Sequence, residues 1–422
     1  MSHQPEHPPA DTGDDAQRPE GDHRRLGREL GIFTTSDALG AGLPIWLPDG
    51  AVLRHTLEQY VRDLERRAGY DHVYSPPLAR QDLYERSGHW EHYAESMFAP
   101  MPLGAENVVL RPMNCPHHIL VYAHRQRSHR ELPVRIAECG QMFRNELSGA
   151  VGGLSRVRCM TLNDGHVFAH PDQIGAEVAA ILELISGAHR DLGITAAAYR
   201  LSRRGNSGKY VTGDGTWDRA EAALAEALGA AGVEWYAAED EAAFYGPKID
   251  IQVQGHSGRE ETLSTVQLDF TLPERFELTY VDADGERRRP VMIHRSIIST
   301  FERIVAFLLE VHDGNLPLWL APRQVHVVPV TDDHNTYAHQ VRDLLEGAGL
   351  RAHVDAGGPL GPRVHNARQL RVPCTVVVGD REAAGNSVSV RARGQRRAGS
   401  CSVDELAARL AADNAARVTT GW

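Results

Sequence analysis

Cys139-Gly-Gln-Met-Phe-Arg-Asn-Glu-Leu-Ser-Gly149, followed by Leu154-Ser-Arg-Val-Arg158, is the stretch whose reading decides the fold. An apolar run from Leu132 to Ile136 leads into Phe143-Arg144-Asn145-Glu146. A turn rich in glycine follows (Ser148, Gly149, Gly152, Gly153), and a second strand-like stretch opens with Arg156-Val-Arg158. Two strands around a Gly-containing loop read as a β-hairpin that carries arginines and a carboxylate near its tip. Such a hairpin suits a nucleoside triphosphate, because a guanidinium fork grips phosphate oxygens bidentately while a glutamate accepts from a base amine. A solvated hairpin with surface charges fits the same residues.

The chain has 422 residues, 42% hydrophobic and 24% charged, which fits two domains with ample core. No apolar run approaches the ~20 residues that cross a bilayer. The first residues carry neither a signal-type apolar region nor an Arg-rich amphipathic pattern, so a cytoplasmic location is expected. Five cysteines, with no CxxC pair, argue against a disulfide framework. The net charge is −11, but Ala321 to Trp422 holds 13 Arg against 10 Asp and Glu, so that part is +3 and the rest −14. A basic terminal module on an acidic body is compatible with RNA contact without demanding it. Only Lys209 and Lys248 are lysines; the remaining 43 basic residues are arginines.

Residues 1–24 are rich in Pro, His and acids and lack periodicity, which predicts a disordered tail. His55 to Ala68 places Leu57, Tyr60, Val61 and Leu64 on one helical face, and Gly69 to Pro76 then reads as helix stop, strand and terminal proline. Helices are expected over Pro171 to Leu192 and Trp217 to Ala231. Strands are expected over Phe244 to Ile251, Thr262 to Phe270 and Val291 to Ile293. Ser296 to Val311 reads as a helix whose entrance carries His294 and Arg295. The prolines of Leu316 to Pro322 separate a body, 25–318, from a terminal module, 323–422. Alternating strands and helices in that module imply a small three-layer domain with a largely parallel sheet. By spacing, Cys115, His166 and His294 form no metal motif, and each alone reads as a core cysteine or a satisfied core histidine.

Five stretches carry a family resemblance: Arg111-Pro-Met-Asn-Cys-Pro116, Phe143-Arg-Asn-Glu146, Phe244-Tyr-Gly-Pro-Lys248, Thr265-Val-Gln-Leu-Asp-Phe270 and Met292-Ile-His-Arg295. In this order they resemble the threonyl-tRNA synthetases, a family of class II aminoacyl-tRNA synthetases, from about Leu26 to Leu410. The resemblance implies an α+β catalytic domain with an antiparallel sheet flanked by helices over 25–318. It also implies an α/β anticodon-binding domain over 323–422. The chain resembles a compact member that begins at the catalytic domain, without the family's ubiquitin-like and editing domains.

The implied reaction is ATP-dependent ligation of L-threonine to tRNA(Thr) through threonyl-adenylate, with magnesium accompanying ATP. Arg144 and Arg303 would be catalytic: Arg144 on the α-phosphate, Arg303 on the γ-phosphate or near adenine. Glu146, Arg156, Met160 and Thr262 would complete the ATP site, and Asp164, Tyr245, Lys248 and Gln267 the threonine site. One Zn²⁺ per chain would be held by Cys115, His166 and His294, three ligands that leave a position open for substrate. Arg363, His365 and Asn366 would face the anticodon. The segment ending at Pro76 would form a homodimer, and neither membrane nor DNA is an expected partner.

The chain departs from the family pattern in places. Met160 stands for a phenylalanine, Leu162-Asn163-Asp164-Gly165 for Gln-Asp-Asp-Ala, His117 for a glycine, and Thr262 for a glutamine. Ser264 and Ser299 replace glycines expected to border ATP, and His365-Asn366 replaces an Arg-Glu pair. Two other functions therefore stay open on the sequence. One is a divergent duplicate that activates threonine or a β-hydroxy analogue for inhibitor resistance or specialised metabolism. The other is an inactive RNA-binding regulatory relative.

Overall fold

The computed structural model describes residues 21–206, 210, 214–255, 258 and 260–418. Most of the expected tail, and Lys209, lie outside them. A first helix, α1 (His23–Glu29), starts inside the expected tail because the Asp22 side chain accepts from the Arg24 N–H as an N-cap. Helix α2 (Pro48–Arg67) is longer than its apolar stripe suggested: Pro48 sits in its first turn, and Arg66 and Arg67 face the negative end of its dipole.

The body is built on one eight-stranded sheet. In chain order its strands are β1 (Asp71–His72), β2 (Val134–Phe143), β3 (Cys159–Ala169), β4 (Ala196–Ser202), β5 (Trp235–Ala238), β6 (Lys248–Gln254), β7 (Glu260–Asp269) and β8 (Val291–Ser296). Across the sheet the order is β5-β4-β6-β7-β8-β3-β2-β1. The strands from β4 to β2 pair antiparallel, and only the two edge pairings are parallel. The sheet is thus the antiparallel one expected, and β2 with β3 is the expected hairpin.

Period-two alternation gives the sheet two different faces. Ala137, Val167, Ala169, Val266, Leu268, Val291 and Ile293 point into the main core, against α1, α2 and three later helices. Those helices are α3 (Ile174–Leu192), α4 (Asp214–Ala231) and α5 (Phe301–Val311). The intervening residues of β3, β7 and β8 face the other way. Buried Arg295 points into the helix layer, where it pairs with Glu65 of α2 at 2.7 Å and stacks over the Tyr70 ring. Removing one partner of such a buried pair costs about 3–5 kcal/mol, because the other charge is left uncompensated. Gly165 makes room for it, since a β-carbon there would collide with the Arg295 guanidinium.

The last helix of the body begins later than the sequence suggested. His294 and Arg295 belong to β8, and α5 starts at Phe301. Between them Ser299 takes a left-handed φ of 67°, its carbonyl accepts the Asn163 N–H, and Thr300 caps the helix by accepting from Arg303 N–H.

The terminal module has a five-stranded sheet made of β9 (Val325–Pro329), β10 (Ala352–Val354), β11 (Cys374–Val378), β12 (Ser387–Ala392) and β13 (Gly399–Ser402). Its order is β10-β9-β11-β12-β13; the first two pairings are parallel and the last two antiparallel, so the expected parallel character covers half of the sheet. Helices α6 (Asn335–Gly347), α7 (Leu360–Gln369) and α8 (Val403–Ala415) complete it around a separate core. Arg323 joins the two units through Asp49 at 2.9 Å. Among the described residues no helix is long and apolar enough to cross a membrane, and all five cysteines are free.

A left-handed backbone strains any residue with a β-carbon. Ser299→Gly should therefore raise stability by about 1 kcal/mol, less whatever the unfolded chain gains in entropy. Urea unfolding reads this directly; an unchanged or lower midpoint would mean that the contacts of Ser299 outweigh the strain.

Candidate active site

On the face of the sheet away from the helices lies a cavity of about 680 Å³. Strand register assembles its floor. His166 of β3 is paired with His294 of β8, and His294 in turn with Gln267 of β7, so three side chains stand in a row across three strands. Along β3 the same alternation brings Met160, Leu162 and Asp164 to the cavity. Cys115 arrives from a different element, the first residue of a helix spanning Cys115–Ala123.

One end of the cavity gathers ligand-type atoms. Those of Cys115, His166 and His294 all lie within 4.8 Å of one another, and all three residues are buried. The hydrogen bonds behind the rings fix their tautomers. Glu138 is ionised: burial alone would raise its pKa, but hydrogen bonds from His118 and Ser75 and the Arg111 guanidinium bring it down to about 2. It accepts from His118 Nε2 at 3.2 Å, so His118 Nδ1 is an acceptor and His166 Nδ1 donates to it at 2.7 Å. On the other side Asp269 accepts the Thr271 and Leu272 N–H groups with one oxygen and His294 Nε2 with the other, at 2.9 Å. The lone pairs of His166 Nε2 and His294 Nδ1 then face each other at 2.9 Å. Two acceptors so placed call for a cation between or beside them, and the carboxylate-backed imidazoles behind them are what metal sites use to orient ligands. With a thiol as third donor, the set suits Zn²⁺ with one coordination position left over. When bound, such an ion acts as a Lewis acid that takes a substrate nitrogen or oxygen.

His118, Glu138 and Asp269, which brace the two histidines of the cluster, were passed over by the sequence reading. The signals were local: His118 lies one helical turn beyond Cys115, and Asp269 shares a strand face with Gln267. His89 was passed over too. It is fully buried, Ser87 Oγ lies 2.7 Å from its Nδ1, and its Nε2 has no hydrogen-bond partner among the described residues. Burial and the neighbouring His294, Arg275 and His92 push its pKa down to about 3.

Asp164, Tyr245 and Gln267 line the middle of the cavity. Burial raises the Asp164 carboxyl above its ordinary value, against the pull of His118, His294 and Arg295. The Tyr245 hydroxyl donates to Gln267 Oε1 at 2.6 Å, and its ring stacks on His294. Lys248 is not among the lining residues: its ammonium is held 2.8 Å from Asp250 on the same strand.

The other end is cationic. Arg144, Arg156 and Arg303 converge there with Glu146, Thr262 and the Met160 thioether. Burial lowers the pKa of Arg303; Glu261 opposes this, while Arg144 and Arg156 add to it by repulsion. The Nε groups of Arg144 and Arg303 are buried without a hydrogen-bond partner among the described residues. Glu146 pairs with Arg156 at 2.8 Å. Arg158, by contrast, braces the hairpin loop, donating to the carbonyls of Glu146 and Ala41. Three guanidiniums with few countercharges make a ready site for a polyphosphate.

The departures fall in different places. Met160, Leu162, Thr262 and Ser299 line the cavity. Ser264 does not: alternation turns it to the helix face, where its hydroxyl lies 2.9 Å from His189 Nε2. The His117 ring packs near Tyr84, away from the ligand cluster. In the terminal module His365 and Asn366 are exposed, whereas Arg363 is buried and donates to the carbonyl of Asp355 at 2.9 Å. That guanidinium holds its own loop, which corrects the expectation that it faces a base.

Two family models match the chain: "tRNA synthetase class II core domain (G, H, P, S and T)" over residues 102–312 and "Anticodon binding domain" over 324–413. A threonine–tRNA ligase of Listeria monocytogenes is 50% identical over 398 residues, which is 93% of this chain and 62% of that protein. Threonine–tRNA ligase 1 of Bacillus subtilis gives the same identity and shares. The chain thus spans about three fifths of the length of these curated relatives. Among solved structures, the RNA binding domain of threonyl-tRNA synthetase from Cryptosporidium parvum Iowa II is 34% identical, with a TM-score of 0.88. The match covers 93% of this chain and 98% of that one.

Glu302, beside Arg303, accepts the Thr161 N–H next to Met160 and lies in the wall behind the cavity. Burial pushes its carboxyl up to about 7, against its backbone hydrogen bonds and Arg54. Its pKa is thus higher folded than unfolded, so the folded state holds the extra proton. Stability then falls as pH rises from the unfolded value of 4.5 to about 7. Glu302→Gln should therefore gain stability over the parent chain between pH 5 and pH 8. Denaturation midpoints at the two pH values measure the gain, and a constant difference would contradict it.

Proposed function

The chain belongs to the threonyl-tRNA synthetase family of class II aminoacyl-tRNA synthetases, and from that we propose that it ligates L-threonine to tRNA through threonyl-adenylate. The observation that carries this reading is the juxtaposition, in one cavity, of three converging arginines with a Cys-His-His cluster and a buried aspartate.

In activation, the threonine carboxylate attacks the α-phosphate of magnesium-bound ATP and pyrophosphate leaves. Arg144 would hold the α-phosphate and carboxylate together while Arg156 and Arg303 take the outer phosphates. Fixed cations of this kind need no reorganisation as charge moves onto the leaving group. Glu146 would exchange Arg156 for the adenine amine, and Met160 would pack on the base. Asp164 would accept a hydrogen bond from the substrate hydroxyl, and Cys115, His166 and His294 would hold Zn²⁺. A pocket that bonds a hydroxyl leaves buried groups unpaired around isosteric valine. Serine keeps the hydroxyl and lacks only a methyl, worth about 1–3 kcal/mol. The terminal module, carrying exposed His365 and Asn366, would meet unstacked anticodon bases.

A homodimer is part of the same proposal. Beside Pro76 lies an apolar groove in which Tyr74 is 82% exposed and Leu120 and Leu78 are also uncovered. An apolar patch around one strand end suits an isologous contact.

Four outcomes are expected. Purified protein should carry about one zinc ion per chain, and Cys115→Ala should lose it together with threonine-dependent pyrophosphate exchange. The parent chain should exchange with threonine, with serine about 10–200-fold less efficiently, and with valine not measurably; valine exchange at the serine rate would reject the pocket assignment. Charging of tRNA transcripts tests the second step: brisk exchange with no tRNA charged would send the activated amino acid to another acceptor. By sedimentation at micromolar concentration the chain should be a dimer, and Tyr74→Asp should shift it to monomer.

A further inference from the structure

The nucleotide end of the cavity is braced from outside by one imidazole. His23, in the first turn of α1, is buried, with Nδ1 2.6 Å from Glu310 Oε1 and Nε2 3.2 Å from the Leu154 amide nitrogen. A backbone N–H can only donate, so Nε2 is the acceptor and the ring proton sits on Nδ1, shared with Glu310. The ring is neutral with its tautomer fixed at both ends.

Its two partners lie on separate parts of the site. Glu310 stands in the last turn of α5, the helix that carries Arg303. Leu154, itself fully buried, belongs to the loop between Glu146 and Arg156. Gly153 permits the approach: its φ is 52°, and any β-carbon there would collide with His23. Leu26 and Leu30 already seat α1 in the core. A buried histidine adds a desolvation cost that apolar docking would not need. Its bonds instead fix the loop relative to α5.

We propose that His23 is a positioning residue for the nucleotide, setting the loop so that Arg156 faces Arg303 across the triphosphate and Glu146 meets the adenine. This rests on the reading of the cavity as an ATP site. The two amide side chains separate the two bonds of the ring. In His23→Asn the amide nitrogen can take the place of Nδ1 and keep Glu310, but nothing accepts from Leu154. In His23→Gln the amide oxygen can take the place of Nε2 and keep Leu154, leaving Glu310 only the backbone N–H of residue 23, which donates to it at 3.2 Å.

The test is calorimetric ATP binding by the full chain, together with KM for ATP and for threonine in pyrophosphate exchange and zinc content. His23→Asn should weaken ATP binding and raise its KM roughly tenfold, leaving the threonine KM and zinc unchanged, while His23→Gln stays within about twofold. Gly153→Ala, which leaves α1 intact and forces the loop off the ring, should reproduce the ATP defect and serves if the His23 variants do not fold. If the parent chain exchanges pyrophosphate and all three variants bind ATP as it does, the proposal is overturned and the ATP reading stands. Equal loss of ATP and threonine affinity also overturns it, as a merely structural role. A parent chain that neither binds ATP nor exchanges pyrophosphate overturns both.

Discussion

The register of three strands is the constraint on which the rest of this structure depends. His166, His294 and Gln267 come from segments far apart in the chain, yet β3, β8 and β7 set them side by side. A slip of one residue in any of these strands would send its whole polar set into the helix layer and its core set into the cavity. Register is pinned from behind: Glu65 of α2 holds Arg295, and Asn163 of β3 donates to the same carboxylate at 2.7 Å. The helix layer thereby locks the two histidine-bearing strands against each other, and the cost of separating a buried ion pair opposes any slip.

The two ends of the cavity concentrate opposite electrostatic problems. At one, imidazole lone pairs are turned toward each other by the carboxylates of Glu138 and Asp269. At the other, Arg144 and Arg156 stand close enough to Arg303 to add by repulsion to the lowering of its pKa by burial. Both arrangements are unfavourable in isolation and both would be relieved by ligands of opposite character, a metal cation and a polyphosphate. Fixing such groups in advance places the cost in folding, so that little reorganisation is left for the reaction. The hairpin loop is also braced from outside itself. Arg158, which reaches the Ala41 carbonyl, and His23 tie it to the amino-terminal segment.

Substitutions that look alike in sequence part company in the fold. Ser264 and Ser299 both stand where glycine was expected, but strand alternation buries the first against His189 and a tight turn leaves the second in a strained backbone beside the cavity. His117 stands two residues after Cys115, and a helix turns about 100° per residue, so its ring goes round to the Tyr84 side. Lys248 is drawn to Asp250 because residues two apart on a strand share a face.

By itself the sequence determined the elements with strong local signals. The hairpin was readable from a glycine-rich turn between apolar runs, and the long helices from their stripes. Wording close to a known family named the arginines, the cysteine and the histidines. What it could not supply was adjacency. The spacing of Cys115, His166 and His294 is uninformative because they meet only through cross-strand pairing and a helix start. His118, Glu138, Asp269 and His23 act through a partner distant in the chain. The start of α5 also escaped, because an apolar run reads alike as strand end or helix entrance, and only the left-handed turn at Ser299 separates them. Tertiary structure decided these points because hydrogen-bond partners and ligand sets are relations in space, and local periodicity records only which face of its own element a residue occupies.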